Sequence, residues 1–209
     1  MSEKYSRFLF NAIAPIYSLI FNRQKKHFEK HLANAEKDLA LTSYKTILDV
    51  GCGNGALCAV LDGMGLSVTG IEPAEKMFKT AKKKLANRKI QVYHASILDR
   101  LPFENDHFDV SIASYVVHGL QKEDRKRMYA EMSRVSRYKV FIHDYNQSRN
   151  LITTIVEWIE RGGYFEFIKS PEHEMKSCFH EMQECFSEIK VVTFNKHSAW
   201  YICTPSSKN

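Results

Sequence analysis

The stretch Ile47–Leu61, which reads ILDVGCGNGALCAVL, decides the fold. Its first residues, Ile47–Val50, are apolar around one aspartate and predict a buried strand, and Ala56–Asp62 predicts the helix that follows. Three glycines with the spacing GxGxG lie between the two elements. Glycines at such a turn let a ligand approach the backbone closely, and the helix N-terminus offers N–H groups to an anionic ligand group. The stretch therefore predicts a strand–turn–helix unit that binds a ligand.

Apolar runs alternate with helical patterns from this unit up to Asp144. Such an alternation is typical of βαβ units and a parallel sheet. Beyond Asp144 the pattern changes to helices and then to two strands, which predict an antiparallel hairpin on the sheet edge. The predicted strands are 47–50, 67–71, 90–94, 108–113, 139–143, 189–194 and 200–203, and the predicted helices are 56–62, 75–86, 123–135, 151–161 and 172–185.

The length of 209 residues and the hydrophobic content of 44% are enough for one substantial core. We therefore expect a single domain. Its expected parts are a helical N-terminal cap (1–45), a ligand-binding core (46–145), a helical lid that covers the substrate (146–187) and a C-terminal β-hairpin (188–205).

Charge and cysteine content narrow the class of protein. The net charge of +6 is weak support for an acidic partner, because the basic residues are scattered among 24 acidic ones. The five cysteines form neither a CxxC pair nor a cluster with zinc-ligand spacing, so we expect no metal site and a reducing compartment. No apolar run approaches the length of a membrane span. These features predict a cytoplasmic protein.

The glycine spacing and Asp49 distinguish between ligand classes. Dinucleotide-binding turns have the spacing GxGxxG, whereas this turn has GxGxG with an aspartate two residues before the first glycine. The stretch resembles motif I of the class I S-adenosylmethionine-dependent methyltransferases, in particular the methyltransferase type 11 and quinone-biosynthesis enzymes. The resemblance implies an α/β fold, a Rossmann-like three-layer α/β/α sandwich. Its mostly parallel seven-stranded sheet would carry a C-terminal antiparallel hairpin strand.

The same resemblance implies S-adenosylmethionine as the cofactor. Asp49 would act near its ammonium group, directly or through water, and Glu72 after the second strand would bind the ribose diol. Ser96 stands where these enzymes usually have an aspartate near the adenine. Asp99 would take that position instead if the alignment with the family motif is shifted. Tyr17 would fold over the cofactor. The predicted cofactor-binding residues are Tyr17, Asp49, Gly51, Cys52, Gly53, Gly55, Glu72, Pro73, Met77, Ser96, Ile97, Ala113 and Ser114.

Tyr115 and His118 follow the fourth predicted strand, and they are the candidate catalytic residues on the side of the methyl acceptor. A general base helps if the acceptor is a hydroxyl group or a ring carbon, and His143 and Asp144 are further candidates at a strand end. We expect a small-molecule acceptor and an in-line displacement.

Other functions remain open. A basic run over 79–89 raises an RNA methyltransferase as an alternative, but we interpret it as a solvated helix face. Ala113–Val116 stands where amino-methylating nucleic-acid enzymes have a Pro-Pro-aromatic motif, and no RNA-binding module follows, so nucleic acid is not the favoured partner. A protein methyltransferase, a hydride-transferring dehydrogenase and a non-catalytic S-adenosylmethionine-binding module are the further alternatives.

Overall fold

The computed structural model describes residues 3–145, 179–195 and 198–206. Two consecutive helices, α1 (Glu3–Leu19) and α2 (Phe21–Leu39), begin the chain. A short 3-10 turn, Leu41–Ser43, leads from α2 into the first strand. No helix in the described ranges has both the length and the apolar character needed to cross a membrane.

Within those ranges seven strands form one sheet in the order β3-β2-β1-β4-β5-β7-β6. The first five pair in parallel, whereas β7 runs antiparallel to both β5 and β6. The strands are β1 (Thr46–Val50), β2 (Ser67–Ile71), β3 (Gln91–Tyr93), β4 (Phe108–Ser114), β5 (Ser136–Tyr145), β6 (Phe186–Asn195) and β7 (Ser198–Pro205), and the helices between them are α3 (Ala56–Gly63), α4 (Glu75–Lys84) and α5 (Lys122–Val135).

The predicted fold class, a mostly parallel seven-stranded sheet with a C-terminal antiparallel hairpin, is confirmed. Two strands begin three residues earlier than predicted, β5 at Ser136 rather than at Lys139 and β6 at Phe186 rather than at Ile189. Helix α5 ends at Val135, so the chain passes from helix to strand without an intervening turn. The helix predicted over 151–161 lies outside the described residues, and of the helix predicted over 172–185 the described part, 179–185, is helical.

Alternate residues of the central strands pack on opposite faces of the sheet, as the two-residue period of a strand requires. On β1, Leu48 and Val50 belong to a cluster that includes Met128 and Met132 of α5. Ile47 belongs to the other large cluster, which includes residues of α2 and α3. The molecule therefore has three layers, with α5 on one face of the sheet and α2 and α3 on the other.

Helix α1 packs against α4 through a small separate cluster. Ile13 and Ala14 are buried there against Ala74 and Met77. Because α1 is anchored in this way and α2 packs on α3, the junction of the two N-terminal helices lies next to the turn between β1 and α3.

Candidate functional site

The turn between β1 and α3 is held in a conformation that requires glycine. Gly51, Gly53 and Gly55 have φ values of 67°, 57° and 84°. A Cβ on Gly55 would lie only 2.6 Å from Leu85 Cδ1, so a side chain there would strain the backbone and force Leu85 to shift. At Gly53 no atom of the described residues lies within 4 Å of an added Cβ. A ligand can therefore approach the backbone at Gly53.

The N-terminal helices lie against this turn. Asn54 Nδ2 donates to the backbone carbonyl of Tyr17 at 2.6 Å and to Gln24 Oε1 at 2.6 Å. Its Oδ1 accepts from the N–H of Ala56 at the start of α3. Asn54 is 3% exposed, so this contact is inside the protein. The structure thus places Tyr17 beside the glycine turn, where the sequence predicted a residue that covers the ligand.

Asp49 lies near the end of β1, two residues before the turn, and is 1% exposed. Its Oδ2 accepts a hydrogen bond from the Cys58 thiol at 3.1 Å. Burial raises the pKa of Asp49 to about 7, although the hydrogen bonds from the thiol and the backbone N–H of Cys58 lower it. Burial disfavours the ionised form of the Asp49 carboxyl. A cationic ligand group close to it would stabilise that ionised form. Asp49 therefore fits a ligand that carries a positive charge.

Glu72 follows β2 directly and is also buried. Its Oε2 accepts from the N–H of Gly53 at 2.9 Å, and its Oε1 accepts from the N–H of Ala74 at 2.8 Å. Burial raises the pKa of Glu72 to about 7, while these two hydrogen bonds lower it and the charge of Asp49 raises it. A carboxylate has about four acceptor positions, so two remain for hydroxyl donors of a ligand.

The residues predicted around the adenine occupy different environments. Met77 is 1% exposed and packs against Ile13 of α1, so its position is that of a core residue. Ser96 is buried, and its Oγ accepts from the N–H of Leu98 at 3.1 Å, whereas the rival Asp99 is exposed. The assignment of either residue to the adenine stays a prediction.

The end of β4 lies beside the glycine turn in the sheet. Ala113 pairs with Val50 at the end of β1, which brings the carboxyl ends of the two strands to the same edge. Ser114 follows, and its hydroxyl lies 3.1 Å from Nδ1 of His143. Tyr115 has a φ of 57°, which is uncommon for a bulky residue and occurs most often where function requires it.

The phenol of Tyr115 is half-buried and hydrogen-bonded. Burial raises its pKa well above the ordinary value, and the charge of Asp144 raises it further. Its phenol is in hydrogen-bond contact with Ser198 of β7, and its N–H donates to the carbonyl of His143 at 2.8 Å. The phenol therefore stays protonated at neutral pH, and the catalytic role of Tyr115 stays a prediction.

His118 and Asp144 form a pair across two elements. Nδ1 of His118 lies 2.9 Å from Asp144 Oδ1. The other carboxylate oxygen, Oδ2, accepts from the N–H of Val117 at 2.8 Å and from the N–H of His118 at 3.2 Å. The His118 side chain is 14% exposed, whereas Asp144 is 6% exposed. A buried carboxylate thus fixes the ring and its tautomer, with Nδ1 protonated and Nε2 able to accept a proton.

His143, a further candidate base, is fully buried. Its ring stacks on Trp200 with a centroid distance of 4.4 Å and an interplanar angle of 12°. Burial lowers the pKa of His143 to about 3. It therefore supports the end of β4 from inside the core and is a poor proton acceptor. In the part of the chain that the structure describes, no three His, Cys, Asp or Glu side chains are grouped as metal ligands would be.

Helix α2 contributes residues that the sequence analysis missed. Gln24, His27 and His31 recur at the spacing of one helix face, and all three contact the site region. Gln24 lies on the glycine turn, the His27 ring is 6.3 Å from that of Tyr115, and the His31 ring is 5.2 Å from that of His143. The recurrence of these polar residues on one helix face is the sequence signal that could have identified them. The face covers the carboxyl edge of the sheet from the turn to β5.

The region that contains the glycine turn and its two buried carboxyls is similar to methyltransferase domains. Residues 47–139, from β1 into β5, match the family model described as a methyltransferase domain. The family resemblance that the sequence motifs indicated is thereby confirmed for this region.

Sequence relatives carry the same name. An uncharacterized methyltransferase of Bacillus licheniformis is 28% identical over 142 residues, which is 66% of this chain and 65% of that protein. A ubiquinone biosynthesis O-methyltransferase of Paramagnetospirillum magneticum is 33% identical over 94 residues, 44% of this chain and 37% of that protein. The alignments to the first three relatives span 65%, 60% and 56% of their lengths, so this chain matches less than two thirds of each of them.

Solved structures share the fold. Human N-acetylserotonin methyltransferase in complex with SAM superposes with a TM-score of 0.62 at 13% identity, covering 99% of this chain and 57% of that one. Magnesium protoporphyrin IX methyltransferase from Synechocystis with bound SAM gives a TM-score of 0.57 at 15% identity, with 88% and 80% covered. At such identities the likeness concerns the fold alone.

Proposed function

We propose that this chain is an S-adenosylmethionine-dependent methyltransferase that acts on a small-molecule acceptor. The observation that carries the proposal is that two groups of residues lie at the same edge of the sheet. The glycine turn with Asp49 and Glu72 lies at the ends of β1 and β2, and the His118–Asp144 pair lies at the ends of β4 and β5. The methyltransferase-domain match and the fold neighbours solved with bound SAM support the same function.

The residues present fit this cofactor. Asp49 and Glu72 are both buried, and burial disfavours the ionised form of each. An ammonium group near Asp49 and the ribose hydroxyls at Glu72 would satisfy the two carboxylates, and the open space at Gly53 leaves room for the ligand. S-adenosylmethionine supplies a methyl group on a sulfonium that is already activated for displacement.

The chain then has to align the acceptor and exclude water. His118 is the proposed general base, which accepts the acceptor proton at Nε2 while its Nδ1–H donates to Asp144. Asp144 stabilises the resulting imidazolium and is itself held by the two backbone N–H groups of Val117 and His118. Tyr115 positions the acceptor as a hydrogen-bond donor. The face of α2 that carries His27 closes the site from the other side.

A small molecule is the proposed acceptor class in preference to RNA. The basic side chains of α4 are exposed, and Lys79 is paired with Glu75 on the same helix. Such a surface is that of a solvated helix, and it lies on the α4 side of the molecule rather than at His118. A cytoplasmic location stays a prediction that depends on the cysteine pattern.

Isothermal titration with S-adenosylmethionine, S-adenosylhomocysteine and NADH tests the cofactor. The proposal expects saturable binding of the first two and none of NADH, and saturation by NADH alone would overturn it. Transfer of labelled methyl from S-adenosylmethionine, measured on phenolic and amine small molecules and on total RNA, tests the acceptor class. Cofactor binding without transfer to any acceptor would favour a non-catalytic binding module, and salt-sensitive incorporation into RNA alone would overturn the small-molecule assignment.

A further inference from the structure

We propose that Cys58 is a positioning residue for the cofactor: its thiol, fixed in the first turn of α3, holds the carboxylate of Asp49 for the ligand. The contact that carries this proposal is the hydrogen bond from Cys58 Sγ to Asp49 Oδ2, 3.1 Å long between two side chains that are 0% and 1% exposed. The positioning role rests on the proposed function, because it assigns Asp49 to the cationic part of the cofactor.

The strand neighbours of Asp49 offer it no charge. In the sheet Asp49 lies between Gly70 of β2 and Ile112 of β4. The titratable groups near it are Cys58 of α3, Cys52 of the glycine turn and Glu72 after β2. None of these groups carries a positive charge. The donors for the buried carboxylate therefore come from the start of α3, where the backbone N–H groups are unpaired within the helix.

Cys58 supplies two of these donors. Besides its thiol, its backbone N–H also stabilises the ionised carboxyl. The backbone donor is present with any residue at position 58, whereas the thiol is specific to cysteine or to a similar side chain. Replacing the side chain thus removes one of two donors and leaves the fold of the helix start in place.

The thiol has a fixed position because the space around it is full. A Cβ on Gly70 would lie 3.0 Å from Cys52 Sγ and 3.1 Å from Cys58 Sγ, so both sulfurs lie directly over Gly70. This close approach explains why β2 has a glycine opposite Asp49. Serine fits the same space, since its hydroxyl is smaller than a thiol, and it keeps a donor.

Cys58 remains a donor at neutral pH. Its pKa is well above the ordinary value because of its hydrogen bond with Cys52, its burial and the charge of Asp49. A buried thiol with a raised pKa is a poor nucleophile and keeps its proton. In this pair Cys58 therefore acts as a thiol and Asp49 as a carboxylate. Burial raises the pKa of Asp49, and the hydrogen bond from the Cys58 thiol lowers it.

The test follows the Asp49 carboxyl directly in the ligand-free protein. The carbon-13 chemical shift of labelled aspartate gives its titration midpoint in the wild type, Cys58→Ala and Cys58→Ser, with Asp49→Asn to assign the signal. The midpoint should rise by about 0.5 to 1 pH unit in Cys58→Ala and fall below the wild-type value in Cys58→Ser, because a hydroxyl is the stronger donor. Cys203→Ala, which removes a fully buried thiol of β7 far from the turn, should leave the midpoint unchanged.

The second readout is the affinity for S-adenosylhomocysteine as a function of pH. In Cys58→Ala it should fall about 2- to 5-fold at neutral pH and recover at higher pH, because a midpoint shift of that size from about 7 lowers the ionised fraction of Asp49 by that factor. An unchanged Asp49 midpoint in a folded Cys58→Ala protein overturns the positioning role. If that variant does not fold, the decision rests on Cys58→Ser, whose midpoint must then move downward, and an unmoved midpoint overturns the role. A shifted midpoint in a protein that binds no S-adenosylhomocysteine refutes the proposed function and leaves the thiol–carboxylate contact standing.

Discussion

Replacement of Glu72 by glutamine should weaken cofactor binding by an amount that follows from its hydrogen bonds. Both carboxylate oxygens accept backbone N–H groups, from Gly53 and Ala74, and two acceptor positions remain for the ribose hydroxyls. Glu72→Gln removes the charge and turns an amide NH2 toward one of those backbone donors. Neutral hydrogen bonds are about half as strong as charged ones, so the loss of binding free energy should be about 1–2 kcal/mol, roughly 5- to 30-fold in Kd.

The assay is isothermal titration with S-adenosylhomocysteine. Glu75→Gln is the matched control, since Glu75 is an exposed carboxylate on the first turn of α4 whose ion pair with Lys79 is at the surface. It should leave the Kd unchanged. A Glu72→Gln protein that is folded and binds with a Kd within about twofold of wild type would refute the assignment of Glu72 to the ribose.

The same experiment has a pH dependence with a defined sign. Because burial raises the pKa of Asp49 and of Glu72 to about 7, the ligand-free protein holds protons on these groups that its unfolded chain has lost. The contribution of these two carboxyls to the free energy of unfolding of the ligand-free protein should therefore fall as pH rises from about 4 through 7. Cofactor affinity should rise over the upper part of that range, because the ionised forms bind, and Glu72→Gln should flatten the rise.

Three further predictions concern other parts of the site. His118→Gln and Asp144→Asn should each lower kcat by about 10²- to 10⁴-fold with little change in cofactor Kd, measured by methyl-transfer kinetics and titration; equal loss of binding would contradict a role in proton transfer. Burial lowers the pKa of His143 to about 3. The stability that the neutral ring contributes above about pH 6.5 should therefore decline toward pH 3 by up to about 1.4 kcal/mol per pH unit. His143→Phe should accordingly make the free energy of unfolding, measured in urea, less sensitive to acid. Gly55→Ala should destabilise the protein by about 1–3 kcal/mol, because φ is positive and the new Cβ meets Leu85; an unchanged melting temperature would rule out that strain.

The parts of this structure that depend on local pattern were predictable from the sequence. The glycine turn, β2 and the terminal hairpin follow from residue spacing and period, and β2 was predicted with its exact bounds. Glu72 follows the second strand of a parallel sheet, so its place at the ligand edge follows from topology. The strand after α5 was also predicted, although its start was placed three residues late, at Lys139 instead of Ser136.

The parts that depend on the path of the chain in space were not predictable. His27 reaches Tyr115 only because α2 crosses the sheet edge, and nothing in the sequence near His27 encodes that crossing. Asp144 was predicted at a strand end, but its pairing with His118 depends on the register of β4 with β5. The role of Cys58 likewise depends on the contact of a helix start with the preceding strand. Each of these is a tertiary contact between residues distant in sequence or on different elements.

A crystal structure with S-adenosylhomocysteine bound would test the central claim most directly. The account predicts the ribose hydroxyls within hydrogen-bond distance of Glu72, the ammonium group near Asp49, and the sulfur facing the space between His118 and Tyr115. A ligand bound in another place, or one in the glycine turn whose ribose does not reach Glu72, would contradict it.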